Sequence, residues 1–500
     1  VFSFVGYQRQ TVPVNGREEI TVDMQQQVQE MEEVVVVGYG QQSQITTTGA
    51  ISSVKADEME KASMPTVGEA LTGKVTGLSS VQTTGQPGAS DPSIFLRGVG
   101  TMNDANPLII IDGVPNTMRA FMQLNPSNIQ NISVLKDASS TAVYGVKGAN
   151  GAIIVNTKRG QAGKTTIRAD VSYGMQRPTN LPNFVGSYKW AKFNNIARRN
   201  DGNTADLIPQ DHVMHYKRQD RPLIFPSIDY RELLLNNSAM QARGNINISG
   251  GTENVNYFSS LGYFKQDGLL DLPYESTGDF TYDRYNLRTN VDLNVTPTTE
   301  VNFTSNARIG LRSKPKGNMW FTINIRPPVG TAGVVDDKLI SPKRRYQPYI
   351  SEQDNPFDRI FKAGYEQTNE YRLNLNMDVN QKLKAIDPAL EGLEFRTKLG
   401  YRAGFNEYAN FNGPGHAEYL AMYNVHSPNP NPNMGDSTVV LQKQGEEGTR
   451  SWDRWYGANR YIYLEAGFDY ERTFNNNNNI KALLLYNQNK NYYPPSNLSY

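Results

Sequence analysis

The sequence contains no cysteine and only four histidines among its 500 residues. The lack of cysteine excludes a disulfide framework, a thiolate zinc site and a cysteine nucleophile. A metal site would have to depend on carboxylates, and we predict neither a metal site nor a cofactor. The formal net charge of +1 gives no electrostatic reason to expect a nucleic acid partner, and we predict none.

Long apolar runs are also missing. No stretch of about 18 apolar residues occurs, so the sequence offers no candidate for a membrane-spanning helix. The mean hydropathy of -0.57 is typical of a soluble protein. A transmembrane β-barrel has an equally low mean, because lipid-facing and lumen-facing residues alternate along each strand. Hydropathy therefore leaves both classes open.

Apolar and polar residues do alternate, over long segments of the second half of the chain. One face of the segment 285–295 holds Leu287, Thr289, Val291, Leu293 and Val295, and the other holds Asn286, Arg288, Asn290, Asp292 and Asn294. The same division recurs at 301–312 and 372–380. Such strands exceed the soluble mean of about 5 to 6 residues and match the ~9 to 11 that cross a bilayer at a tilt.

The pattern predicts nine strands, namely a leading strand and four hairpins at 166–175, 241–265, 284–313, 369–405 and 459–493. Short turns alternate with long connections, the short ones at 250–254, 296–299 and 475–479 and the long ones at 174–240, 314–368 and 407–458. Short turns on one rim and long loops on the other are typical of outer-membrane barrels. A soluble sandwich also alternates apolar and polar residues, but it does not predict this asymmetry.

The first 163 residues have a different character. Residues 1–24 form short strands that suit the end of a small β-sandwich, and residues 25–42 form a polar linker around four valines, MEEVVVVGYGQQ at 31–42. An all-apolar strand normally lies inside a sheet, yet flexible polar sequence flanks this one. Residues 43–163 then combine a predicted helix at about 66–71 with predicted strands at 93–96, 108–111, 132–135 and 152–157, and Asp112-Gly113 is predicted to form a turn.

Four motifs in this mixed region carry a family resemblance. They are FLRG at 95–98, NPLIIIDGVP at 106–115, LKDASSTAVYG at 135–145 and GANGAIIVNTKRG at 148–160. In this order they resemble the plug domain of SusC/RagA-type TonB-dependent transporters. Downstream, SGGTEN at 249–254 and YFSSLGY at 257–263 are similar to the early barrel hairpin of that family. Residues 1–24 resemble the end of its carboxypeptidase-regulatory-like domain.

The resemblance implies a mainly β fold: the first ~9 of ~22 strands of a transmembrane antiparallel β-barrel, with an α/β plug inside, preceded by the end of a small β-sandwich. The implied domains are the β-sandwich end at 1–24, a linker with the TonB box at 25–42, the plug at 43–163 and the first part of the barrel at 164–500. Residues 1–7 already have the pattern of a strand and show no secretory signal, so we expect the chain to begin inside a domain. Because a barrel must close to satisfy its backbone, we also expect the chain to continue after Tyr500.

The function implied is TonB-dependent active import of an oligosaccharide or peptide across the outer membrane, without covalent chemistry. The predicted TonB-binding residues are Met31, Glu32, Glu33, Val34, Val35, Val36 and Val37, on the periplasmic side. An extended apolar segment on a tether can add as a strand to a sheet edge of TonB. The other partners implied are a SusD-like surface lipoprotein lid and outer-membrane lipid.

Two sets of residues are predicted to bind the cargo. Polar side chains near the strand at 108–111 form the first set, which comprises Asn103, Asp104, Asn106, Asn116 and Arg119. Aromatic side chains in the long loops form the second set, which comprises Trp320, Trp452, Trp455 and Tyr456. Aromatic rings stack on sugars, but they also line the membrane rim of barrels, and the sequence leaves both roles open.

The plug charges Arg97, Asp112, Lys136 and Asp137 are predicted to pair with polar residues of the barrel wall. Two alternatives to nutrient import stay open. One keeps the barrel but imports a metal chelate or vitamin. The other is a secreted β-rich protein that binds or degrades glycans; degradation needs a carboxylate pair, and since no pair stands out we predict no enzyme.

Overall fold

The computed structural model describes residues 22, 34–37, 40–43, 50–55, 58–59, 64, 66–101, 104–271, 279–336, 338–340, 364–413, 418–423, 439–444, 448–474 and 478–493. Apart from Val22, the predicted β-sandwich at 1–24 lies outside these residues. The valine run forms β1 (Val34–Val37), which pairs antiparallel with β2 (Gly40–Ser43). These two strands form a sheet of their own.

The predicted plug is an α/β unit around a five-stranded sheet. Its strands are β3 (Ile51–Lys55), β6 (Leu108–Ile111), β7 (Val114–Asn116), β8 (Ile129–Leu135) and β9 (Ala152–Thr157), and a hairpin of β4 (Leu78–Val81) and β5 (Ser93–Leu96) lies beside them. The order is β3-β8-β9-β6-β7, in which β6 and β9 are parallel. The short helices are α1 (Val67–Leu71), α2 (Met118–Met122) and α3 (Ala138–Thr141).

Hydrophobic burial holds the plug together. The central strands read as apolar runs, such as LIII in β6, because both faces of the sheet are covered. Ile132, Ile153 and Val155 are completely buried and pack with Phe121 and Met122 of α2. The strands and the helix that the sequence predicted in this region are confirmed, with shifts of at most a few residues at their ends.

The second half of the chain forms one long sheet of nine antiparallel strands. They are β10 (Gly163–Gln176), β11 (Ala239–Gly251), β12 (Val255–Asp267), β13 (Thr281–Thr296), β14 (Thr299–Pro315), β17 (Tyr365–Lys382), β18 (Leu393–Asn412), β21 (Ser451–Phe474) and β22 (Asn478–Tyr492). Within the part of the chain that the structure describes, each strand pairs with the next in this order, so the predicted count of nine is confirmed. The sheet does not close, because within the described residues β10 and β22 each have only one partner.

The two faces of the long sheet invert the pattern of a soluble protein. On β13, Leu287 is 50% exposed, whereas Arg288 is 2% and Asn290 is 0% exposed. We call the face with Arg288 the inner face, because it contacts the plug, and the opposite face the outer face. Apolar exposure and polar burial on alternate residues are the arrangement that lipid on one side and a polar lumen on the other require.

The long connections fold into a lobe at one rim of the sheet. It contains α4 (Ser187–Asn200), α5 (Gln210–Arg218), α6 (Tyr230–Leu234) and α7 (Met319–Ile325), with a four-stranded sheet of β15 (Val334–Val335), β16 (Lys338–Ile340), β19 (Glu418–Tyr423) and β20 (Val439–Gln444). Val213, Phe225 and Ile340 are buried together in one of its cores. The sequence predicted only loops in these connections. The elements of the lobe are too short to give a clear pattern, and they come from three separate segments.

One predicted loop is wrong at both ends. The sequence predicted a connection at 407–458, but β18 continues to Asn412 and β21 begins at Ser451. The reason is that pairing between these strands continues at their ends, where Tyr408 is opposite Trp455 and Phe411 is opposite Trp452. Within the described residues, no helix combines the length and apolar character needed to cross a membrane.

Candidate functional site

A buried charge pair joins the plug to the inner face. Asp112 and Gly113 form the two-residue turn between β6 and β7, and both have positive φ, 49° and 78°. This is the Asp-Gly hairpin turn, in which glycine accepts the left-handed backbone without strain. The turn presents the Asp112 carboxylate to the Arg288 guanidinium, and the two side chains are 6% and 2% exposed. The Thr157 backbone N–H and hydroxyl also donate to this carboxylate, each at 3.0 Å.

Further contacts follow where the chain leaves the plug. The Asn290 amide donates to the carbonyl of Lys158 at 2.6 Å, and Arg159 pairs with Asp292. At Gly160 the chain lies against the backbone of Tyr257 on β12, so closely that a Cβ atom would overlap it. These contacts fix the plug to the wall at the base of β10.

The predicted pairing of plug charges with the wall is confirmed for Asp112 and wrong for Lys136 and Asp137. The Lys136 ammonium donates to the hydroxyls of Ser52 and Thr76 inside the plug, at 2.5 and 2.9 Å, and Arg97 lies beside it. Asp137 is the N-cap of α3, where it accepts from the backbone N–H of Ser140. Capping satisfies N–H groups at the helix start, and the Asp137 carboxylate makes this local hydrogen bond instead of one to the wall.

A second contact region joins the end of β7 and α2 to the wall. The Arg402 guanidinium donates to the Asn116 side-chain oxygen at 2.9 Å and to the Pro115 carbonyl at 3.0 Å. Arg119 and Arg308 both pair with Glu370, at 3.0 and 3.3 Å. Arg308 and Glu370 project from the wall and Arg119 from the plug, so one carboxylate bridges the two parts.

A cleft of about 350 Å³ lies beside these contacts, between the plug and the inner face. Its wall includes residues of β13, β14, β17, β18, β21 and β22. The polar and charged side chains that line it include Asn286, Asn306, Arg308, Arg372, Asn374 and Arg402 from the wall and Asn116, Arg119, Gln123 and Asn125 from the plug. Volumes of this size accommodate small ligands or a few units of a longer one.

Of the polar residues predicted to bind cargo, Asn116 and Arg119 lie side by side in the lining of this cleft. Asp104 and Asn106 lie elsewhere on the plug, where the Asn106 amide donates to Asp104 at 2.7 Å. Asn103 lies outside the described residues. The structure therefore brings two of the five together, and their role in binding stays a prediction.

The aromatic residues are divided between three environments. Trp320 on α7 packs against a hydrophobic core of the lobe. Trp455 faces the inner side of β21, where its ring stacks on Tyr408 at a centroid distance of 5.5 Å. Trp452 and Tyr456 are 60% and 41% exposed on the opposite face of β21. They lie on the outer face, and the choice between cargo binding and an aromatic belt stays a prediction.

Sequence reasoning did not find Arg308, Arg372, Arg402 or Tyr461. Each is one polar residue among many on alternating strands, and only the register between strands brings them to one cleft. The repeated combination of Asn and Arg at inward positions was the available signal. It indicated a polar lumen but not a particular site.

Two carboxyl groups with raised pKa lie at the boundary between plug and wall. Burial raises the pKa of Glu69 to about 7, and the charge of Asp91 adds to the effect while Thr66 and Arg243 oppose it. Burial also raises the pKa of Asp91 against the opposing charge of nearby arginines. Among the described residues, no group of three or more His, Cys, Asp or Glu side chains is placed to hold a metal ion.

Comparison with known proteins places this geometry in a family. Residues 43–152 match the TonB-dependent Receptor Plug Domain family. TonB-dependent receptor P26 of Formosa agariphila is 33% identical over 311 residues, which are 61% of this chain and 29% of that protein. TonB-dependent receptor SusC of Bacteroides thetaiotaomicron is 31% identical over 284 residues, which are 54% of this chain and 26% of that protein. These similarities support a SusC/RagA-type TonB-dependent receptor.

The fold agrees with these sequence similarities. The RagAB peptide importer in its open-open state superposes with a TM-score of 0.65 at 19% identity, over 94% of this chain and 51% of the compared chain. The chain thus spans about half or less of the proteins that it matches. Receptors of this family are outer-membrane β-barrel proteins, so the long sheet belongs in the outer membrane. The secreted alternative is therefore wrong.

Proposed function

We propose that this protein imports a nutrient, an oligosaccharide or a peptide, across the outer membrane with energy supplied through TonB. The observation that carries the proposal is the set of buried polar contacts between the plug and the inner face, centred on Asp112 and Arg288. Buried charge pairs are costly to break, because each partner is left without compensation. Passage past the plug therefore requires work from outside the receptor.

The proposed point of attachment for TonB is the segment Met31–Val37. Its first three residues lie outside the described part of the chain, and the valines form β1. In the described residues β1 is hydrogen-bonded to β2 alone, although β8 lies near it, so its second edge makes no ladder of hydrogen bonds. An unpaired strand edge is a template for another strand, which is how TonB would bind.

The proposed lid partner is a SusD-like lipoprotein above the lobe at the long-loop rim. The support is the fold shared with the RagAB peptide importer and the similarity to SusC. The lobe has cores of its own, so it offers a folded surface on which a second protein can rest. Neither comparison distinguishes an oligosaccharide from a peptide as cargo.

The test is uptake of cargo by cells that carry the complete receptor with Met31–Val37 deleted. We expect uptake to be lost while purified receptor binds cargo with unchanged affinity, because the segment transmits force and none of its described residues lines the cleft. Deletion of Gln25–Glu30 is the control, since it shortens the linker and keeps the valines. Normal uptake by the Met31–Val37 deletion would disprove the proposed role of the segment.

A further inference from the structure

Three arginines form a row on the inner face beside the cleft. Arg308 on β14 is directly opposite Arg372 on β17, and Arg402 on β18 lies two residues before the residue opposite Arg372. The residue directly opposite Arg372 is Gly404, and the side chain of Asn459, another residue of the cleft lining, occupies the space beside it. Arg119 of the plug lies across the cleft.

This row has an unfavourable charge balance. Like charges directly opposite on neighbouring strands destabilise a sheet. Among the described residues, five cationic side chains line the cleft, including Lys147 of the plug, and no Asp or Glu does. Glu370 pairs with Arg119 and Arg308 from beside the cleft, and no hydrogen bond to a carboxylate occurs for Arg372 or Arg402 in the described part of the chain.

Several buried polar atoms around the cleft also lack a partner among the described residues. They are Nε of Arg308, the side-chain oxygen of Asn374 and the side-chain oxygen of Gln123. Arg308 is only 8% exposed, so bulk water does not readily satisfy its guanidinium. An unpaired buried donor or acceptor costs about 1–3 kcal/mol, which a bound ligand can recover.

The remaining lining favours a hydroxyl-rich ligand over an apolar one. Amide side chains dominate it: Asn116, Gln123, Asn125, Asn128, Asn286, Asn306, Asn374, Asn459 and Asn491. Amides donate and accept, which suits the hydroxyl groups of a sugar. Tyr461 adds a flat ring, over which the Arg402 guanidinium lies at 4.3 Å.

We propose that this cleft binds an acidic oligosaccharide, whose carboxylate or sulfate groups pair with Arg372, Arg402 and Arg119 while its hydroxyls bind the amides. The proposal rests on the proposed import function and narrows its substrate class. Guanidinium groups bind carboxylate and sulfate oxygens through paired N–H donors. The positive charges of the opposed arginines are then neutralised by the anionic groups of the cargo when it binds.

The experiment measures binding to the complete receptor, purified in detergent, by calorimetry. The probes are an oligogalacturonate and its methyl ester, a sulfated galactan oligosaccharide and its desulfated form, and an acidic peptide of similar size. We expect each acidic saccharide to bind about tenfold or more tightly than its neutral counterpart, with an advantage that shrinks as salt rises. Preference for only one acidic saccharide would identify the source of the anion.

Variants connect the preference to the cleft. Arg372→Gln is expected to weaken binding of the acidic saccharides about tenfold, and Lys147→Gln, at an exposed position, about threefold. Neither change is expected to alter binding of the neutral saccharides. Lys384→Gln, which removes an exposed charge from a short turn outside the cleft, is the control. If Arg372→Gln fails to fold, the Lys147→Gln result decides.

Equal binding of acidic and neutral saccharides, or tighter binding of the peptide, would overturn the proposal, as would unchanged acidic binding in the variants. If cells import neutral and acidic oligosaccharides equally well in a manner that requires Met31–Val37, the import function stands and only the acidic preference fails. If cells import none of the probes, both fail.

Discussion

Arg288 of the barrel wall donates to the carboxylate of Asp112 in a turn of the plug, and both side chains are almost fully buried. Thr157 links the pair, because its hydroxyl donates to Asp112 and accepts from Arg288 at 2.7 Å. Residues from three distant segments thus form one hydrogen-bonded unit at the boundary between plug and wall.

Asp112→Asn is expected to loosen the plug by about 3 kcal/mol, because it leaves the Arg288 charge buried without a counterion. Asparagine tolerates the left-handed backbone of this turn, so the change tests charge and not backbone strain. Hydrogen exchange in β6 and β9 measures the effect. Asp104→Asn on the plug surface is the control, and equal protection in both variants would contradict the role of the pair.

Gly160→Ala is expected to destabilise the receptor. A Cβ at this position would lie 2.3 Å from the backbone nitrogen and 2.4 Å from the backbone oxygen of Tyr257, so the plug or β12 must move. Such overpacking costs about 1–3 kcal/mol. Gly85→Ala is the matched control, since no atom lies within 4 Å of its Cβ position. The melting temperature of the purified receptor checks this, and equal values for the two variants would refute it.

Leu287→Arg is expected to lower the free energy of unfolding of the membrane-inserted receptor by about 2–4 kcal/mol, the cost of a lipid-facing arginine near the bilayer midplane. Thr281→Arg, on the same face at the first residue of β13, is expected to cost only about 0–1 kcal/mol. Urea unfolding of receptor folded into vesicles compares them. A Thr281 variant as unstable as the Leu287 variant would argue against a lipid-facing outer face.

Glu69→Gln is expected to stabilise helix α1 at pH 8 and to have little effect at pH 4.5. The pKa of Glu69 is about 7 in the folded protein against an ordinary 4.5, so the fold favours the protonated form. Its contribution to stability is therefore largest below about pH 4.5 and declines as the pH rises to about 7. Hydrogen exchange of Val67–Leu71 in both proteins checks this, and identical protection at pH 8 would disagree.

The sequence predicted the long strands well, because alternation with a period of two is itself the cause of a two-faced sheet. Leu287 and Arg288 were assigned to opposite faces, and the structure exposes one and buries the other. It also predicted the plug strands, since the apolar run of β6 and its Asp-Gly turn are local signals.

The contacts between plug and wall were less predictable. Asp112 and Arg288 are 176 residues apart, and no local pattern identifies such partners. Lys136 and Asp137 have the same charges as residues that do reach the wall, yet nearby hydroxyls and a helix N-terminus bind them first. The lobe was missed for a similar reason, because its core forms only when three loops meet.

The most direct test of TonB-driven import is photo-crosslinking in living cells that take up cargo, with a photoreactive amino acid in place of Val35 in the complete receptor. A crosslink to TonB that increases when cargo is supplied is the expected result, while the same amino acid in place of Lys384, in the connection between β17 and β18, gives none. Active uptake without any TonB crosslink from positions 34–37 would contradict the proposal that TonB binds the valine strand.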